Sequence, residues 1–109
     1  MPVRLTQPTD FLILGALSDG ERDTASNIAK RINKNRSYIN TRLPILADYE
    51  LICKVGPNDN SGLYQITPLG VAAVQKQALY NEDRNQFDSE ICDLSANIEI
   101  KRPTVLHNP

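Results

Sequence analysis

Thr24-Ala25-Ser26-Asn27-Ile28-Ala29-Lys30-Arg31-Ile32-Asn33-Lys34-Asn35-Arg36-Ser37-Tyr38-Ile39-Asn40-Thr41-Arg42-Leu43-Pro44-Ile45-Leu46-Ala47-Asp48-Tyr49 is the stretch on which the reading of the fold turns. Behind Thr24, a residue type that caps helix starts by accepting an orphan backbone N–H, Ala25, Ile28, Ala29 and Ile32 recur at helical spacing. Asn33-Lys34-Asn35 follows at once. Asparagine tolerates left-handed backbone and also caps helices, so a tight turn is predicted there. A second helix is predicted over 36–49, with Ile39, Leu43 and Leu46 as its inward stripe and Ala47 beside Leu43. Pro44 lies inside this segment and removes the bond to the Asn40 carbonyl, which predicts either a kink or a helix in two pieces.

The remaining faces of that helix carry Arg36, Ser37, Asn40 and Thr41, with Tyr38 and Arg42 on one flank. A helix surface with no duty beyond solvation would favour Glu, Lys and Ala at these positions. Arg, Ser, Asn and Thr are instead the side chains that hydrogen-bond base edges and phosphates. Charge points the same way. Between Thr24 and Val55 stand six basic residues (Lys30, Arg31, Lys34, Arg36, Arg42, Lys54) and two acidic ones (Asp48, Glu50), a local charge of +4 against −5 over the rest. A polyanion needs only such a local positive field, whatever the net charge of −1.

Upstream, a first helix is expected over 11–17, capped by Thr9 or Asp10 and ended by the turn Ser18-Asp19-Gly20-Glu21. Downstream, 51–55 and 63–67 alternate as two strands around Gly56-Pro57-Asn58-Asp59-Asn60-Ser61-Gly62, a run of turn formers. This is a β-hairpin with a long polar tip. Its tip has no Arg or Lys, so any grip on phosphate would rely on Asn58, Asn60, Ser61 and backbone N–H groups. Thr67-Pro68 pairs a capping residue with proline at the first helical position and opens a final helix. Beyond Asp83, Phe87, Ile91, Leu94 and Ile98 fit an amphipathic helix that packs either within the chain or across a dimer. Residues 97–102 also fit a short strand, and 103–109 a loose end.

The order helix, helix, tight turn, helix, hairpin, helix predicts a mainly α fold with a small β-hairpin (α+β), a winged helix-turn-helix. In that arrangement the third helix enters the major groove of duplex DNA and the hairpin flanks it. The winged domain is expected over 1–82, and 83–109 is expected to be a C-terminal extension serving as a dimerisation segment or a loose tail.

Thr24-Ala25-Ser26-Asn27-Ile28-Ala29 and Asn35-Arg36-Ser37-Tyr38-Ile39 resemble the helix-turn-helix of archaeal winged-helix regulators. So do Leu46-Ala47-Asp48-Tyr49-Glu50-Leu51-Ile52 and Gly62-Leu63-Tyr64-Gln65-Ile66-Thr67-Pro68-Leu69-Gly70, and the pattern resembles the family of the halophilic phage phi-H repressor. The resemblance covers about residues 10–80. It implies sequence-specific binding of double-stranded DNA, a homodimer, and repression of transcription. By position it places Arg36, Ser37, Tyr38, Asn40, Thr41 and Arg42 on the recognition helix and 58–61 in the wing. With Lys34 and Asn35 from the turn, these make the expected DNA-binding set.

Length and composition bound the alternatives. A chain of 109 residues with 40% hydrophobic and 23% charged residues reads as one soluble globular domain. No apolar run approaches the ~20 residues of a membrane span, and Met1-Pro2-Val3-Arg4 lacks a secretion signal, so a cytoplasmic protein is expected. Cys53 and Cys92 have no metal-ligand spacing and are expected as buried free thiols. No Gly-rich phosphate loop and no nucleophile paired with a base is visible, and the lone His107 sits in the tail. The expectation is therefore no enzyme, no catalytic residue, no metal and no cofactor. The alternative is a winged-helix module for protein–protein contact, in which the polar face of the 36–49 helix binds no DNA.

Overall fold

The computed structural model describes residues 3–55 and 62–99. The chain is mainly helical, with a small three-stranded antiparallel sheet. In order the elements are α1 (Thr9–Ala16), β1 (Asp23–Thr24), α2 (Ala25–Ile32), α3 (Arg36–Asp48), β2 (Ile52–Val55), β3 (Leu63–Ile66), α4 (Pro68–Gln75), α5 (Gln77–Glu82) and α6 (Arg84–Ser95). β3 is central, with β2 on one side and β1 on the other. Ile52 faces Ile66 and Lys54 faces Tyr64 across the hairpin, while Asp23 pairs with Tyr64 on the opposite edge.

Local chemistry accounts for most of these boundaries. The Thr24 side chain accepts the Asn27 N–H at the start of α2, and Asn33 closes that helix in the left-handed region at φ 58°. The Asn35 side chain caps α3. Thr67 opens α4 by accepting the Gly70 N–H at 3.1 Å, and its hydroxyl donates to the Glu50 carbonyl at 2.6 Å. Gly70 is needed at that spot: a Cβ there would lie 2.1 Å from the Leu51 carbonyl oxygen, inside the closest possible contact. The Thr-x-x-Gly spacing of the sequence thus locks the start of α4 onto the backbone that leads into β2.

Several expectations are corrected. α1 begins at Thr9, with Pro8 as its cap, so neither Thr9 nor Asp10 flanks it. Both are buried inside the helix, where the Asp10 carboxylate accepts the Thr6 N–H at 2.7 Å. α3 is one helix through Pro44, not two pieces. Pro44 sits on the exposed side, where water can take the orphaned Asn40 carbonyl. β1 had no signal in the sequence, being two residues long with Thr24 already serving as a helix cap. The single final helix is two, α4 and α5, meeting at Lys76. Cys53 and Cys92 are free, as expected, but exposed rather than buried. Each stands on the outer side of an element whose apolar neighbours, Ile52 and Ile91, fill the inner side.

The core is continuous from the N-terminal segment to α6. Ile13, Leu14, Leu17, Ile28, Ile39, Leu43, Leu46 and Leu51 are fully buried. Phe11, Tyr80 and Phe87 meet edge to face, with ring centroids 5.0–6.4 Å apart. The Tyr80 hydroxyl accepts the Leu5 N–H at 2.7 Å and donates to the Leu5 carbonyl at 3.2 Å, holding residues 3–6 across the aromatic cluster. The stripe beyond Asp83 therefore packs within the chain: Phe87 and Ile91 are buried in the common core, and Leu94 and Ile98 pack against it. Of the strand expected over 97–102, residues 97–99 form none, and 100–102 lie outside the described residues, as does the loose end expected over 103–109. No helix among the described residues is long and apolar enough to cross a membrane.

Candidate nucleic-acid interface

The site is built on the turn between α2 and α3. The left-handed backbone at Asn33 lets the Lys34 N–H reach back to the Ala29 carbonyl at 2.9 Å, closing α2. Three residues, 33–35, separate the two helices. The Asn35 Oδ1 accepts the N–H groups of Ser37 at 2.8 Å and Tyr38 at 3.2 Å, so α3 starts at a defined point. Ile39, Leu43 and Leu46 face inward with no exposure at all. On α3, Arg36, Ser37, Tyr38, Asn40 and Thr41 are consequently turned to solvent, and Lys34 and Asn35 are exposed in the turn before it.

Arg42 departs from this set. Its Nε donates to Asp10 Oδ1 at 2.9 Å and its second guanidinium nitrogen to Oδ2 at 2.7 Å, a two-point pair in which Asp10 has no solvent exposure. The hydrogen bond to Asp10 raises the Arg42 pKa, against the opposing effect of partial burial. Its fork is directed at α1 and ties α3 to the first helix, so Arg42, expected as a DNA contact, has both arms of that fork committed within the fold. Asn35 is half committed too: its oxygen is the α3 cap, leaving the amide nitrogen. The Thr41 hydroxyl donates to the Tyr38 carbonyl at 2.6 Å. Among the described residues, the side chains of Arg36, Ser37 and Asn40 make no hydrogen bond or ion pair. Asn58, Asn60 and Ser61 lie outside the described residues.

The basic residues sort in the same way. Arg31 is paired with Asp23 at 3.0 Å and, more loosely, with Asp19 at 3.8 Å. Partial burial would raise the Asp23 pKa, but the Thr24 N–H, Arg31 and Asn27 together hold it below the usual carboxylate value. Lys30, Lys34, Arg36 and Lys54 have no acidic partner among the described residues. The acidic residues of the Thr24–Val55 segment are at the far end of α3, where Asp48 and Glu50 join Asp88 around an open cleft of about 700 Å³. The helix is therefore electrically polarised along its length, basic at its first turn and acidic at its last.

Arg36 and Asn40 open onto a second depression, about 340 Å³, between three elements. Thr24, Ala25 and Ser26 bring the first turn of α2 to it, and Lys54, Gly62 and Tyr64 bring the hairpin. The N-terminal N–H groups of a helix and its dipole favour an anion, and Arg36 and Lys54 add full positive charge. A phosphodiester fits the chemistry of such a seat. Ser26 and Tyr64 were absent from the set read in the sequence, because only the three-dimensional approach of the hairpin to α2 brings them beside Arg36. Compared with known proteins, the chain matches no family model, no curated protein sequence and no solved structure.

Proposed function

We propose that the chain is a winged helix-turn-helix protein that binds double-stranded DNA in a sequence-specific way and represses transcription. The observation that carries the reading is the outer face of the first turns of α3. Arg36, Ser37 and Asn40 stand there exposed and, among the described residues, without side-chain partners, and Lys34 and Lys54 have no acidic partner among those residues either. The element order supports it: two helices joined by a tight turn, then a hairpin whose base lies beside the second of them. In this reading α3 lies in the major groove, and the depression at the start of α2 receives a backbone phosphate. Repression, and the pairing of two copies on two half-sites, rest on the resemblance to archaeal winged-helix regulators. The apolar stripe that first suggested a dimer interface is occupied inside the protomer.

The test is titration of the protein with mixed-sequence and selected duplexes at 50 to 200 mM salt. Binding is expected at low salt, with a log–log slope between about −2 and −3 per protomer, since each phosphate neutralised contributes about −0.9 and, among the described residues of the Thr24–Val55 segment, Lys30, Lys34 and Lys54 have no acidic partner. No complex at 50 mM salt, or an affinity indifferent to salt, would leave the polar face of α3 to a protein partner.

A further inference from the structure

Resting on the DNA-binding reading, we infer that, among the described residues, base identity is read from α3 by Arg36 on a guanine and Asn40 on an adenine. Strong discrimination between bases in the major groove requires a side chain that makes two hydrogen bonds to one base edge. A guanidinium does so on O6 and N7 of guanine, and a carboxamide on N6 and N7 of adenine. α3 and its cap carry four such side chains, Asn35, Arg36, Asn40 and Arg42. The Asn35 oxygen already accepts two backbone N–H groups at 2.8 and 3.2 Å, and a carboxamide without its oxygen has no fork. Arg42 gives both arms of its fork to Asp10. Arg36 and Asn40 remain, exposed and without a side-chain partner among the described residues.

Their spacing sets the geometry of the readout. At positions i and i+4 they stand one above the other on a single face, about 5–6 Å apart along the helix. Base pairs rise by about 3.4 Å, so the two forks meet bases about one to two steps apart. Ser37 and Thr41 offer single hydroxyls, which pair with any base and discriminate little. Arg36 also borders the depression that suits a phosphate, which gives the inference a sharp competitor: an Arg36 that binds backbone would carry salt dependence and no base preference.

The experiment is selection of bound duplexes from a random library with the full chain and with Arg36→Ala and Asn40→Ala. Both positions are on the surface, and unchanged circular dichroism and thermal midpoint will show that the variants fold. The wild-type consensus is expected to contain a G and an A within about two base pairs. Asn40→Ala should lose preference at the A alone and Arg36→Ala at the G alone, each by about 5- to 100-fold in discrimination. Replacing that adenine by 7-deazaadenine should weaken the wild type and leave Asn40→Ala unaffected. Variants that return the wild-type consensus with uniformly weaker binding would overturn the assignment while leaving DNA binding standing. A wild-type chain that retains no duplex would overturn the DNA-binding reading, and this one with it.

Discussion

Asp10→Ala is expected to lower the stability of the folded chain by about 3–5 kcal/mol, measured as a shift of the denaturant midpoint. Asp10 is wholly buried, and Arg42, which forks onto it, is 14% exposed. Removing the carboxylate leaves a partly buried guanidinium with no counter-charge, and the Thr6 N–H loses its acceptor as well. An apolar pair of similar volume avoids that penalty, so Asp10→Leu combined with Arg42→Met should recover most of the loss. The functional side of the prediction is separate. Because the pair fixes how α3 leans on α1, the double variant should fold yet bind duplex less well, although neither residue touches DNA in this account. A double variant with wild-type affinity would show that the pair does not orient the helix, and an Asp10→Ala chain as stable as the wild type would show that it does not hold it.

Phe87→Ala is expected to cost about 3–5 kcal/mol as well, and deletion of residues 83–109 should prevent folding. Phe87 has no exposure and meets Tyr80 at 5.0 Å and Phe11 at 6.4 Å between ring centroids. Truncation to alanine empties the centre of a cluster that joins α1, α5 and α6, and the edge-to-face contacts go with it. The variant should unfold in one transition at lower denaturant. A truncated chain ending at residue 82 that still folds and unfolds cooperatively would instead make α6 an appendage.

These two cases mark where the sequence was legible and where it was not. The stripe Ile39, Leu43 and Leu46 is local and periodic, so the buried side of α3 followed from spacing alone, and with it the exposed side. Caps at Thr24, Asn35 and Thr67 act over two or three residues and were equally readable in principle. Asp10 and Arg42 are 32 residues apart, and neither carries a local mark of its partner. A lone carboxylate near a helix start reads as a cap, and a lone arginine on a polar helix reads as a nucleic-acid contact. Only burial reveals that each answers the other. The Phe87-Ile91 periodicity was visible, but periodicity identifies a greasy face without naming what covers it. Likewise the approach of Lys54 and Tyr64 to the start of α2 depends on the sheet order β1-β3-β2, in which β1, the strand that leads into α2, is only two residues long.

The central claim is that duplex DNA meets the outer face of α3 at its first turns. Its most direct test is the backbone amide NMR spectrum of the full chain on addition of a selected duplex. The account predicts the largest perturbations at residues 34–41, at the start of α2 near Ser26 and at Lys54, with the acidic cleft around Asp48 and Asp88 unmoved. Perturbations centred on α6 or that cleft, or an α3 whose amides do not respond at all, would contradict it.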